Sequence, residues 1–308
     1  MKVLVSGGYG LIGSHICELL LERGDEVVVI ENFSTGQKTN LAEHKSLTLY
    51  EGDIADKDLV EKVFEKHKPE VVVHTAASYK DPDDWHSDSM TNCVGGSNLV
   101  KAAKEHESGR FIYFQTALCY GTNPEEQPIS LNHTRNPANS SYAITKTTAE
   151  YFIEYSGLDY VTFRLANVVG PRNVSGPLPI FYQRLSEGKK CFVTEARRDF
   201  VFVKDLVKAV VKAIDGTGSG AYHFSSGKDV AIKSLYDEVV RAMKIQEYPE
   251  PEVRALSPDD APSILLDPTR TFQDFGQMEF TPLSEIVDQA VEYYNKFGAS
   301  GGYTHLKH

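Results

Sequence analysis

The sequence predicts an α/β fold, a doubly wound parallel sheet followed by a smaller α/β lobe. Three observations predict it. Short, continuously apolar runs alternate with stretches of helical spacing through the first half of the chain, as in a parallel sheet covered on both faces. A glycine-rich turn joins the first apolar run to the first helical stretch, the place where such sheets hold a dinucleotide. After about Gly170 prolines and glycines become frequent and the strand signals shorten.

Residues 2–6, 26–30, 47–50, 71–74, 110–116 and 160–165 read as strands, being short, apolar and rich in β-branched or aromatic side chains. Between them 11–23, 56–67, 89–107 and 138–156 have helical spacing. Right-handed crossovers then wind the sheet in both directions. Further helices are expected near 181–187, 206–215, 234–243 and 283–296. The division expected is 1–170 for the cofactor domain and 171–308 mainly for a substrate lobe, with about 200–225 returning to the first domain. The glycine-rich tail from Gly298 is expected to be mobile, with His305 and His308 solvated.

Composition removes several classes. The 308 residues carry a net charge of −11, which disfavours a protein that coats nucleic acid or an anionic membrane. Cys17, Cys93, Cys119 and Cys191 lie far apart without CxxC spacing, so they read as thiols of a reducing, cytoplasmic compartment, with no disulfide frame and no metal site. The first residues are too short in apolar length for a signal peptide, and no apolar run is long enough for a membrane span. One stretch runs against the overall charge. From Arg164 to Lys204 there are eight basic and three acidic residues, enough to meet a small diphosphate.

Gly7, Gly10 and Gly13 make a GxxGxxG pattern between the first strand and first helix. The first allows a sharp turn, the second a close approach to a pyrophosphate, and the third close packing of helix on sheet. The first amides of the helix, at Leu11, Ile12 and Gly13, then face the phosphates. Glu31 closes the second strand 18 residues after Gly13. There it accepts hydrogen bonds from ribose hydroxyls and repels a 2′-phosphate, which favours NAD over NADP. Asp53 and Ile54, placed at the end of the third strand, are candidates for the adenine edge.

Tyr142 and Lys146 form a YxxxK early in a helix, so they share a face. A free tyrosine titrates near pH 10, so acting as a base near pH 7 requires roughly 4 kcal/mol of help. A neighbouring ammonium and a cationic nicotinamide in a dry cleft can supply it. Thr116, at a strand end, is placed to hydrogen-bond the same substrate oxygen.

These motifs, in this order, resemble the extended short-chain dehydrogenase/reductases, and specifically their nucleotide-sugar epimerase/dehydratase group, over almost the whole chain. Residues 6–13 are similar to that family's nucleotide loop, with Ser6 where Thr is commoner. His74-Thr75-Ala76-Ala77 resembles its fourth-strand segment, and Asn92-Cys93-Val94-Gly95-Gly96 its central-helix motif. Residues 116–121 and 142–146 resemble its two catalytic motifs, and 164–172 and 197–203 its sugar-nucleotide segments. Within the group the pattern is nearest to UDP-galactose 4-epimerases and to sugar epimerases of bacterial O-antigen loci, which serve polysaccharide biosynthesis. The resemblance implies a Rossmann-type fold, a tightly held NAD, and a cofactor site joined by Asn32, Thr75, Ala76, Ala77 and Asn92. It implies that Tyr142 takes a sugar hydroxyl proton, Thr116 orients that hydroxyl, and the carbon-bound hydride passes to NAD and returns on the other face of a 4-keto sugar. It also implies a homodimer paired through 89–107 and 138–156.

Departures from the pattern narrow the reaction. Dehydratases of the group carry acidic residues after the catalytic Thr, because eliminating water needs an acid and a base. Here Ala117 and Leu118 stand there, which disfavours dehydration, and Leu118 also disfavours the related decarboxylases. On the substrate side the resemblance assigns Asn167 and Arg198 to the diphosphate and Asp260 to a ribose. Ser257 stands where a second Arg is usual, with Arg172 or Arg254 as substitutes. Phe192 either packs on the base or belongs to the core. Lys80 either reaches the sugar or pairs with neighbouring acids. Ile264 is either core or the floor of a pocket widened for an N-acetylated sugar. The leading expectation is a UDP-hexose or UDP-N-acetylhexosamine 4-epimerase. A keto-sugar reductase built on the same residues is the alternative, and an NAD-responsive binding protein is third.

Overall fold

The structure is a computed structural model that describes residues 1–138, 140–247, 250–257 and 260–299. His305 and His308 lie outside the described residues. Seven strands form the central sheet: β1 (Lys2–Ser6), β2 (Glu26–Glu31), β3 (Leu47–Glu51), β4 (Val71–His74), β5 (Arg110–Thr116), β6 (Tyr160–Leu165) and β11 (Gly220–Phe224). Their spatial order is β11-β6-β5-β4-β1-β2-β3, and every neighbouring pair is parallel. The order reverses direction between β1 and β4. The crevice outside the carboxyl ends of those two strands is where such a sheet binds ligands.

Alternate side chains sort the core into two layers, as a pleated strand requires. Val3, Val5, Val27, Val29, Val71 and Val73 point to the face covered by α1 (Leu11–Arg23) and by Leu206, Ala209 and Val210 of α7 (Val203–Ile214). Leu4, Val28, Ile30 and Val72 point to the opposite face, under α2 (Lys57–His67), α4 (Gly96–Glu105) and α5 (Ser141–Ser156). Asp56 caps α2 by accepting from the Asp58 and Leu59 amides, and α5 stops at Gly157, which is left-handed.

The helix expected at 89–107 begins earlier and is wound unevenly. Helix α3 (Trp85–Asp88) runs into a π-wound segment, Ser89–Gly95, and then α4. Sequence periodicity carries no sign of a π turn, which widens the helix at Asn92.

The remaining elements are shorter. They are β7 (Asn167–Val169), α6 (Pro177–Ser186), β8 (Phe192–Thr194), β9 (Arg197–Arg198), β10 (Phe200–Phe202), β12 (Val230–Ala231), α8 (Ile232–Ala242), β13 (Glu252–Arg254), β14 (Ser263–Ile264), α9 (Thr269–Phe275) and α10 (Leu283–Phe297). A third apolar cluster joins Cys119, Tyr120 and Ile129 to Ala261, Ile264 and Leu266, with Ala117 and Leu118 packed on it. It fastens the loop after β5 to the 260s. The four cysteines are free thiols. No helix among the described residues is long and apolar enough to cross a membrane, and no group of three potential metal ligands gathers there.

Candidate active site

A single cleft at the switch point is lined by Gly7, Gly10, Leu11, Ile12, Gly13, Glu31, Asn32, Asp53, Ile54, Thr75, Ala76, Ala77, Thr116, Tyr142 and Lys146. Residues far apart in the chain, chosen for two different chemistries, thus share one wall.

The glycine loop is built for a close ligand. Gly7 takes a left-handed φ of 73°, which glycine adopts without strain. A Cβ on Gly13 would lie 2.2 Å from the Gly7 carbonyl oxygen. No side chain caps α1 at Gly10, so the helix N-terminus presents its partial positive charge to the cleft. Thr75 pins the loop from β4, its Oγ1 donating to the Ser6 and Gly7 carbonyls at 2.6 and 3.1 Å. Close backbone packing and an uncapped helix start together fit a pyrophosphate.

Glu31 is buried, not a solvated strand end. Its oxygens accept from the Tyr9 amide at 3.1 Å and the Phe33 amide at 2.8 Å. Burial pushes its carboxyl up, against the pull of those amides. It therefore ties the glycine loop to the loop after β2 while keeping lone pairs for ribose hydroxyls. Asp53 and Ile54 lie just beyond β3 rather than at its end. Asp53 accepts from Asn32 Nδ2 at 2.9 Å and from the Ala55 amide at 2.8 Å.

At the chemical end, Lys146 is 3% exposed, with Nζ 4.2 Å from the centre of the Tyr113 ring. Burial lowers it to about 7, and the charge of Glu150 one turn later opposes that shift. Burial also raises Tyr142, with Tyr79 and Asp88 adding to the effect. The sequence reading asked for an acidified tyrosine. The protein alone does the reverse, because burial disfavours phenolate, so a Tyr142 base would need a nearby cation, such as the Lys146 ammonium, to offset it. Thr116 Oγ1 accepts from the Leu118 amide at 3.2 Å, which leaves the hydroxyl proton free to be donated into the cleft.

Asn92 is the one predicted cofactor residue that does not line the cleft. Its amide is used at the π segment, donating to the Ser78 carbonyl and Thr145 Oγ1 and accepting from the Ser78 amide. That holds α5 against the loop carrying Tyr79.

Asn167, Arg198, Phe192, Asp260 and Lys80 also lie outside the cleft lining. Asn167 sits on β7 between Ala166 and Val168, which do line it. Arg198 pairs with Asp260 and donates to the Ala261 carbonyl at 2.8 Å. The Arg254 guanidinium lies 4.1 Å over the Phe192 ring. Lys80 Nζ donates to the Ser34 carbonyl at 2.8 Å, across the mouth of the cleft. Arg172 is bound to Ser14 and Glu18 of α1. Ile264 is buried in the apolar cluster.

The model of the NAD dependent epimerase/dehydratase family matches residues 3–224. The chain belongs to that family. The Bordetella bronchiseptica enzyme WbmH, solved in complex with NAD+, is 68% identical, with a TM-score of 0.95 over 96% of this chain and 99% of that one. WbmG of the same organism, solved with NAD and UDP, is 38% identical, with a TM-score of 0.90 over 100% and 99%. A UDP-glucose 4-epimerase of Mycolicibacterium smegmatis is 31% identical over 96% of this chain and 98% of its own.

This epimerase-family chain is an NAD-dependent sugar-nucleotide epimerase, and NAD is its cofactor. Its cleft also contains Tyr79, Gln115, Leu165 and Ser175, which sequence reading passed over. Tyr79 follows the Thr75-Ala76-Ala77 segment closely, and its ring stands edge-on to Tyr142 with centroids 6.2 Å apart. Gln115 is marked only by adjacency to Thr116.

Proposed function

We propose that the enzyme is a UDP-sugar 4-epimerase, acting on a UDP-hexose or UDP-N-acetylhexosamine through a transient 4-keto sugar. The observation that carries this reading is the shared cleft. Thr116, Tyr142 and Lys146 line it with the glycine loop, while Ala117 and Leu118 are packed into an apolar cluster. Tyr142 takes the O4 proton and gives it back, so no net acid or base is consumed. Lys146 as ammonium favours the phenolate, and Thr116 donates to the same oxygen as it becomes a carbonyl. NAD, when bound, accepts the C4 hydride and returns it. Elimination of water would need a further acid–base pair, and positions 117 and 118 offer none. The UDP in the WbmG complex and the naming of the mycobacterial relative support a UDP-linked substrate.

The test is a panel of UDP-hexoses, UDP-N-acetylhexosamines and UDP-uronic acids, with products separated after incubation. A 4-epimer from at least one, abolished by Tyr142→Phe, is expected. No epimer from any of them, or full activity in Tyr142→Phe, overturns the reading. Protein that purifies without NAD and turns over added cofactor stoichiometrically would point to a net reductase.

The pairing surface follows the same reading. Ile144, Tyr151, Phe152 and Tyr155 leave one side of α5 apolar and exposed, beside Trp85, Met90 and Val94 on the neighbouring helical rod. A second copy of the chain fits that face, since a patch so large is rarely left to water.

A further inference from the structure

Behind Thr116 lies a buried chain of hydrogen bonds whose every direction is forced. Glu150, fully buried on α5, is an acceptor only. Its Oε1 accepts from Arg164 Nε at 3.0 Å and lies 3.0 Å from Nη2, a two-pronged contact. Its Oε2 accepts from Gln115 Nε2 at 2.9 Å and faces Arg135 at 3.2 Å. The carboxylate can take only the NH2 side of the Gln115 amide. The Gln115 carbonyl oxygen must then face the other way, where it accepts from the Thr116 amide at 2.8 Å. On the far side Arg164, a donor only, donates to Tyr120 Oη at 2.6 Å. The Tyr120 proton is left for His223 Nε2 at 2.7 Å, and His223 Nδ1 donates to the Asp267 carbonyl at 3.0 Å. Burial keeps His223 neutral, lowered to about 4, as this tautomer requires.

We propose that Gln115 is a positioning residue for Thr116, its amide locked in orientation by the buried Arg164–Glu150 ion pair. The inference rests on the reading that Thr116 acts on the substrate hydroxyl. Beyond its register with Leu165 of β6, two hydrogen bonds involving side chains act on Thr116, one on the amide through Gln115 and one on Oγ1 through Leu118. Leu118 limits where the hydroxyl oxygen sits, and Gln115 limits where the backbone carrying it sits. A buried ion pair is weak evidence for stability and better suited to specifying one arrangement. Here the arrangement ends at the cleft.

The experiment is a double-mutant cycle between Gln115→Met and Thr116→Ala, following kcat, KM and NAD content. Gln115→Met is expected to lower kcat roughly tenfold, the scale of a small misplacement of a reacting group. KM should stay within about twofold and NAD content should not change. In the Thr116→Ala background the same change should cost less than about twofold, because its target is gone. An undiminished loss in that background, or no loss in Gln115→Met alone, overturns the proposal. Full activity of Thr116→Ala instead overturns the reading beneath it. Should Gln115→Met fail to fold, the exchange Gln115→Glu with Glu150→Gln serves. It keeps the net charge, an acceptor for the Thr116 amide and an acceptor for Arg164. Activity within about threefold of wild type is expected, and a loss as large as that of Thr116→Ala overturns the proposal.

Discussion

Gly10 and Gly13 belong to one motif, yet the structure assigns them different duties, and a methyl group added at each separates the two. Alanine inside a helix is ordinarily better than glycine by up to about 1 kcal/mol. At Gly13 the sign should reverse. The new Cβ would stand 2.2 Å from the Gly7 oxygen and 2.7 Å from Thr75 Oγ1, so it must move backbone by about 1 Å to reach an ordinary contact. The Gly7 carbonyl accepts from the Gly10 amide and from Thr75 Oγ1, both at 3.1 Å, and moving it disturbs both bonds. Overpacking of this kind costs about 1–3 kcal/mol. For a chain of this length one kcal/mol corresponds to about 1.5 °C in Tm. Gly13→Ala should therefore melt about 2–4 °C lower without NAD and should lose most of its bound cofactor. At Gly10 the nearest atom to a new Cβ is the Gly7 oxygen at 3.3 Å, with nothing else within 4 Å. The φ of −77° suits any residue. Gly10→Ala should hold its NAD-free Tm within about 1 °C and still bind NAD poorly, because its methyl occupies the space the phosphates need. Thermal melts of NAD-stripped protein, with calorimetric titration of NAD, read both effects. Unchanged Tm and full NAD affinity in Gly13→Ala would refute the packing argument. Full affinity in Gly10→Ala would refute the approach argument.

Three further outcomes follow from the site and the exposed face. Lys146 is lowered to about 7 from 10.5 by burial; below pH 7 the NAD-free fold carries a buried ammonium, and between 7 and 10.5 it releases a proton the unfolded chain keeps. Stability should rise with pH across that window, so NAD-stripped Lys146→Met should out-melt wild type at pH 6 by a margin that closes by pH 10, and a pH-independent margin would contradict the burial argument. Glu31→Ala removes the acceptor for the Tyr9 and Phe33 amides; NAD affinity should fall roughly tenfold, about the worth of one or two such bonds, while NADP begins to compete, and an undisturbed NAD preference would contradict both roles. Tyr155 is 89% exposed beside Phe152, so Phe152→Glu with Tyr155→Glu should turn a dimer into a folded monomer by light scattering, and a wild type already monomeric at micromolar concentration would remove the pairing surface.

What the sequence made legible divides along the range of the contacts. The six strands of the first half were placed within a residue or so, because continuous β-branched runs bounded by turns are local signals. Helix α9 was missed, being only seven residues long and preceded by Pro268. The glycine loop and the Tyr142–Lys146 pair were readable because each is a short segment on one element. Glu31 was placed correctly and its surroundings were not, since the amides that bury it come from loops on either side of β2. Lys80 drew attention for its neighbours Asp81, Asp83 and Asp84, and its bond to a carbonyl 46 residues away had no sequence signal. Gln115 had no signal beyond its adjacency to Thr116, because its meaning depends on Glu150 and Arg164 meeting behind the sheet.

The replacement of acids by Ala117 and Leu118 is therefore more than a missing pair of groups. Both side chains pack on a cluster built from Cys119, Tyr120 and Ile129 on one side and Ala261, Ile264 and Leu266 on the other. The loop carrying Thr116 is thus welded to the segment that ends in β14, whose Ile264 pairs with Arg198 of β9. An acid introduced at 118 would not simply restore an elimination catalyst. It would place a carboxylate against apolar side chains, where it would stay protonated or open the cluster. On the proposed function, the same packing that leaves no acid at 117 and 118 also links the Thr116 loop to the strand carrying Arg198, which pairs with Asp260. If Thr116 and Arg198 act as proposed, reaction type and substrate placement share one set of apolar contacts, so a change of chemistry here would require rebuilding the 260s together with the loop after β5.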